Sequence, residues 1–225
     1  QPGWLPRASE HPVSRPRVVL IGAAGSGKTT VGALLAQRLS LPFRDTDADI
    51  EQVTGASPGD ILVLSGEAEF RRRERAAVKS ALRSAGVVAV GGGAPHDPDV
   101  REAIVAAGSP VVWLRVTPPN AIARVGLNLP RPVGLGNVRA QVAALMKMLE
   151  PHYSELASLA VDTDYQELPD VVAEIVRKLQ TSDQETDKHD KSEVSVEPAT
   201  SPEIGEIIRD MPDFVPDFEP PRGDR

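Results

Sequence analysis

Residues 22–29 read Gly-Ala-Ala-Gly-Ser-Gly-Lys-Thr and satisfy the pattern G-x-x-x-x-G-K-[ST] at every constrained position. A loop of this kind turns successive backbone N–H groups inward around a phosphate, and the helix behind it adds positive potential. Gly22, Gly25 and Gly27 allow backbone angles and close approach that a side chain would block. Lys28 is placed to reach β- and γ-phosphates, and the Thr29 hydroxyl to face Mg²⁺. Downstream, Phe43-Arg44-Asp45-Thr46-Asp47 puts two carboxylates 16 and 18 residues after Thr29. On an extended segment, residues at i and i+2 point the same way. Beside a phosphate loop, one such acid can hold Mg²⁺ through water while the other meets a substrate hydroxyl.

Two further segments carry chemistry. Gly66-Glu67-Ala68-Glu69-Phe70-Arg71-Arg72-Arg73-Glu74 has three consecutive arginines. On a helix these point in three directions, so at most one or two face a site, and Arg72 and Arg73 read as a solvated face with i,i+4 pairing. Gly91-Gly92-Gly93 follows an apolar run, which means that something approaches the backbone closely there.

The elements that must position these residues follow from apolar patterning. Strand-like runs lie at 17–21, 86–90 and 110–116, with a shorter one at 159–162 and another strand leading into Phe43. Helical spacing occupies 28–40, 67–84, 98–107, 118–125, 136–149 and 168–180. Continuous apolar strands alternating with helices indicate a parallel sheet covered on both faces. Ligands of such sheets bind beyond the carboxyl ends of the strands, where the motifs above fall.

Composition bounds the rest. The 225 residues suit one domain, at about 17–180, with a disordered leader at 1–16 and a disordered tail at 181–225. The net charge is -7, yet residues 181–225 alone contain 13 acids and 5 bases, a balance of -8. The body is therefore nearly neutral, and no clustered basic face points to nucleic acid. The tail is acidic and contains prolines. It has a short helical pattern at 204–211 and a repeated Pro-Asp-Phe, so docking of a protein partner competes there with a solubilising role. No apolar run is long enough to span a bilayer, and no basic-then-apolar start suggests secretion, so the expected location is cytoplasmic. The chain has no cysteine, which excludes disulfides and thiolate metal sites.

Together, the ordered motifs from about Arg17 to Gln180 resemble the shikimate kinases of the nucleoside-monophosphate-kinase-like P-loop class. The resemblance rests on the loop at 22–29, Asp45-Thr46-Asp47 followed by Ile50-Glu51, and Gly66-Glu67 leading to Phe70-Arg71 and Glu74. It extends through the triple glycine, Arg131-Pro132 and Pro151-His152-Tyr153. It implies an α/β three-layer fold with a five-stranded parallel sheet and a mobile lid. It also implies transfer of the γ-phosphoryl group of ATP to the 3-hydroxyl of shikimate, usually by a monomer.

By the same resemblance, Gly25, Ser26, Gly27, Lys28, Thr29 and Thr30 would cradle the ATP phosphates. Thr29 would bind Mg²⁺, and Asp45 would hold it through water. Asp47 would orient the attacking hydroxyl, Arg71 would pair with the substrate carboxylate steadied by Glu74, and Gly91, Gly92 and Gly93 would meet the substrate. Arg124 would lie along the adenine, and Arg131, with Gly126, Gly134 and Gly136 around it, would close from the lid. The catalytic set is Lys28, Asp47 and Arg131.

Two features depart from the family pattern, and one of them is the lid, which reads Arg131-Pro132-Val133-Gly134-Leu135 where the family usually continues with leucines. Leu149 stands where the family carries a second carboxylate-binding arginine, and no arginine occurs between Arg139 and Arg177. Lys147 points away by helical azimuth, His152 has shorter reach and needs protonation, and Arg139 or a partner subunit are the other sources open for a charge. Weaker shikimate binding, or an acceptor that differs at its carboxylate end, is the expectation. A kinase for another polyol or sugar acid and a nucleotide-binding regulator with weakened catalysis are the alternatives.

Overall fold

A computed structural model of the protein describes residues 15–125 and 138–193. The chain divides into two compact units, Gln1–Ser182 and Asp183–Arg225, and all the chemistry discussed below belongs to the first. Five strands form one all-parallel sheet: β1 (Pro16–Ile21), β2 (Phe43–Asp45), β3 (Gly86–Ala89), β4 (Val111–Arg115) and β5 (Leu159–Asp162), in the order β2-β3-β1-β4-β5. Parallel neighbours need crossovers, and helices supply them: α1 (Lys28–Leu39), α2 (Thr46–Thr54), α3 (Pro58–Ser65), α4 (Glu67–Ala81), α5 (Pro98–Ala107), α6 (Pro118–Arg124), α7 (Val138–Leu156) and α8 (Leu168–Glu193).

Strand β1 shows why the sheet is covered twice. Its side chains alternate between faces. Val19 and Ile21 pack with Val78 of α4, Ile104 of α5 and Leu149 of α7. Val18 and Leu20 pack with Leu35 of α1 and Ile175 of α8. All four β1 side chains are fully buried, so the run has no polar face to show. Leu20 pairs with Ala89, as does Asp45 through β2, so β1, β2 and β3 end at one level. The phosphate loop, the acidic pair and the triple glycine therefore emerge together.

Several boundaries differ from the sequence reading. β1 begins at Pro16, inside the expected leader; a proline is tolerated at a strand's first position because its missing N–H costs no ladder bond. The segment between Asp47 and Gly66 holds two short helices with little periodicity to announce them, each started by a side-chain cap: Asp45 accepts from the Asp47 N–H, and Ser57 from the Asp60 N–H. α7 continues to Leu156 through Pro151, and α8 runs to Glu193, past the expected limit at Gln180. The leader through Ser14, Arg131 with its flanking glycines, and the 204–211 pattern lie outside the described residues. Among the described residues, no helix is long and apolar enough to cross a membrane.

Candidate active site

The phosphate loop is built where β1 ends. Gly22 (φ 145°) and Gly25 (φ 80°) adopt backbone angles that side chains rarely reach. A Cβ on Gly22 would come within 2.5 Å of the Leu114 carbonyl oxygen, and one on Gly25 within 2.6 Å of that of Ala121. The loop is thus wedged against β4 and α6. Gly27, the residue before α1, caps that helix without a side chain, so its first N–H groups have no side-chain capping partner. Such a terminus suits an anion.

Lys28 folds over this loop. Its Nζ donates to the carbonyl oxygens of Gly22 (2.8 Å) and Ala23 (3.1 Å). Burial lowers its pKa from the ordinary lysine value, against the opposing pull of Asp47 and Asp45. The Thr29 hydroxyl donates to Asp45 Oδ2 at 2.7 Å, so the two expected Mg²⁺ partners already stand together. Ser26 Oγ is fully buried without a hydrogen-bond partner inside the loop. A hydroxyl and one carboxylate are hard oxygen donors of the kind that hold Mg²⁺ alongside phosphates and water. Among the described residues, no cluster of three or more metal-ligating side chains competes with them.

The acidic pair corrects the expectation of an extended segment. Asp45 ends β2 and caps α2, with Oδ1 accepting from the Asp47 N–H at 3.0 Å. Asp47 lies in the first helical turn instead. The cap therefore divides the labour: one Asp45 oxygen holds the helix and the other faces Thr29, while Asp47 is turned toward the cavity. Burial raises the Asp47 pKa; Asp45 adds to the rise and Lys28 opposes it.

Each glycine of the triple abuts a different wall. A Cβ on Gly91 would come within 2.6 Å of Asp47 Oδ1, one on Gly92 within 3.0 Å of the Ala24 nitrogen, and one on Gly93 within 3.1 Å of Arg71 Nη1. The expected roles separate accordingly. Gly92 and Gly93 line a cavity of about 300 Å³ together with Asp47, Arg71 and Glu74. Gly91 does not line it, and its N–H is committed to Thr46 Oγ1 at 2.9 Å. Its place is to let Asp47 approach.

Arg71 leans on Glu74, its Nη1 donating to Oε2 at 2.7 Å. Glu74 is only 2% exposed, and burial raises its pKa against the pull of Arg71. Arg72 and Arg73 both turn to Glu69 on the surface, as expected. Arg124 reaches Thr163 Oγ1 (2.9 Å) and the Gly25 carbonyl oxygen (3.3 Å), tying the phosphate loop to the end of β5.

Three features escaped sequence reasoning. Thr46 anchors Gly91, and its position inside Asp-Thr-Asp was the available signal. Tyr153 donates its hydroxyl to the Gly92 carbonyl oxygen at 2.6 Å; burial raises its pKa, so it stays a donor. Finally, Val142, Leu145, Met146 and Leu149 line the cavity from α7, a stripe legible from its i, i+3, i+4, i+7 spacing.

Comparisons with known proteins converge on one family and one fold. The family model described as shikimate kinase matches residues 24–180. A shikimate kinase of Thermobifida fusca is 47% identical over 166 residues, covering 73% of this chain and 95% of that one. A shikimate kinase of Salinispora tropica is 49% identical over 150 residues, covering 66% and 89%. Among solved structures, a shikimate kinase from Acinetobacter baumannii in complex with shikimate superposes with a TM-score of 0.67 at 30% identity, covering 75% of this chain and 94% of that one.

Proposed function

The chain belongs to the shikimate kinase family, and from that premise we propose that it transfers the γ-phosphoryl group of ATP to the 3-hydroxyl of shikimate. The observation that carries this reading is the position of Asp47. It couples electrostatically to Lys28 of the phosphate loop and lines the same cavity as Arg71 and Gly92. A donor phosphate on the loop and an acceptor hydroxyl in the cavity would meet at its carboxylate.

Phosphoryl transfer asks a protein mainly for positioning and charge neutralisation. The loop N–H groups and Lys28 bind and neutralise the phosphates. Thr29 and Asp45 would hold Mg²⁺, which when bound offsets phosphate charge. Asp47 accepts the proton of the attacking hydroxyl as the new O–P bond forms and the bond from the γ-phosphorus to its bridging oxygen breaks. Arg71, aimed by Glu74, orients the acceptor acid, and Arg124 lies beside the loop for the adenine. Arg131 closing over the phosphates, with the loop around it as a lid, is the remaining part of the proposal. A monomeric cytoplasmic enzyme is the corresponding setting, supported by the family resemblance.

The test is ADP release from Mg·ATP with and without shikimate, with Asp47→Asn as the blank. Shikimate-dependent turnover that the variant lacks is the expected result; ATP turnover indifferent to shikimate overturns the reading. A second variant checks the support behind the cavity. Tyr153→Phe leaves the Gly92 carbonyl unpaired, which costs about 1–3 kcal/mol of stability. It is also expected to raise the KM for the acceptor with the KM for ATP unchanged. Lost stability with both KM values unchanged would make the hydroxyl a purely structural tie.

A further inference from the structure

The acceptor cavity has two unlike walls. One is polar and carries Asp47, the Arg71–Glu74 pair and the backbone of Gly92 and Gly93. The other is the apolar α7 stripe that ends at Leu149. Among the described residues lining the cavity, Arg71 is the one cation, and it is shared already: Glu74 takes Nη1, and Glu67 Oε1 lies 3.5 Å from Nε. Two carboxyl groups, Asp47 and Glu74, thus line the cavity beside one guanidinium.

An acceptor carboxylate entering here must share Arg71 with Glu74. Its other side meets Leu149, which is 3% exposed, packs in the core with Tyr153 and Leu156, and offers no donor. The nearest candidates on α7 do not help. Lys147 lines a separate cavity with Arg115 and Asp162, and the His152 ring stands 5.9 Å from that of His96. An uncharged substituent in the same place forfeits no hydrogen bond on the α7 side and removes apolar surface from water.

We infer that Leu149 sets acceptor specificity: the cavity takes hydroxylated ring acids with little preference for a free carboxylate over its uncharged ester. This rests on the function proposed above and adds the class of substituent that the α7 wall accepts. A charge-assisted hydrogen bond from a cation at this wall would be worth roughly ten- to hundred-fold in selectivity; Leu149 removes that increment.

The experiment compares kcat/KM for shikimate and for its methyl ester in the full chain, in Leu149→Arg and in Leu149→Lys, whose apolar stem keeps part of the packing. The expected ratio of acid to ester is within about ten-fold for the unaltered chain, rising about ten-fold or more in either variant. A preference for the acid beyond about a hundred-fold in the unaltered chain overturns the inference while leaving the kinase reading intact. So does a ratio that neither variant moves. If both variants fail to fold, the ratio in the unaltered chain decides alone. Absence of turnover with either compound overturns the kinase reading and this inference with it.

Discussion

Replacing Asp47 with asparagine is expected to lower kcat by about 10²–10⁴-fold and, in the same variant, to raise the melting temperature at alkaline pH. The loss of rate follows from the site's geometry. Asparagine keeps the size of the side chain and the Asp45 cap, which uses the backbone N–H of residue 47. It cannot take the proton of an attacking hydroxyl. The stability gain follows from burial, the largest cause of the raised Asp47 pKa, which outweighs the attraction of Lys28. A folded-state pKa above the ordinary 3.8 means that the folded chain holds this proton more tightly than the unfolded one. Stability is then lost as pH rises from the ordinary carboxylate range through the raised value. Above that window the ionised side chain is a standing cost, which asparagine removes. The difference in melting temperature between the two proteins should therefore open as pH rises and close below pH of about 4. A variant that is inactive and also less stable at pH 8 would mean that the carboxylate is held by favourable interactions stronger than its burial.

The same site shows which parts of such a protein can be read from a sequence. The phosphate loop was legible because it is local: eight contiguous residues dictate their own backbone, and the strand and helix beside them have clear periods. The triple glycine and Arg71 were legible as points of close approach and charge. Their partners were not, because those contacts span distances in sequence that no local pattern records. Gly91 meets Thr46 across 45 residues, and Gly92 meets Tyr153 across 61. Asp45 and Asp47 stood out in the sequence, but the extended reading failed at Asp47 because a helix of nine residues, capped by Asp45, starts there. An aspartate capping α2 and one ending β2 are the same residue, and spacing alone does not separate the two. Leu149 was noticed as a missing charge. Only packing shows it as a wall, since the helix face it shares with Val142 and Met146 needs a cavity opposite before it means anything.

Lys28→Met is the second substitution with a large expected effect, and its sign in stability separates it from a merely structural change. In catalysis, removing a cation that neutralises transferring phosphate should lower kcat by about 10³–10⁵-fold, on the scale of a lost arginine finger. In stability the direction is opposite. Burial is the largest cause of the lowered Lys28 pKa, and the coulombic pull of Asp47 and Asp45 does not restore the ordinary 10.5. The folded chain therefore binds this proton less tightly than the unfolded one. Stability rises with pH between the lowered value and 10.5, and below that window the protonated lysine is a cost. Methionine removes the cost but also forfeits the two bonds to the Gly22 and Ala23 carbonyls, each worth about 1 kcal/mol. The net gain should be small and confined to neutral and acidic pH, disappearing above pH of about 10.5. Coupling to Asp47 supplies the discriminating measurement. Each single variant strips the other residue of its countercharge, so Lys28→Met/Asp47→Asn should be more stable at neutral pH than the sum of the two single changes. Additive melting shifts would show that the two groups do not sense each other, and Asp47 would then lose its electrostatic link to the phosphate loop.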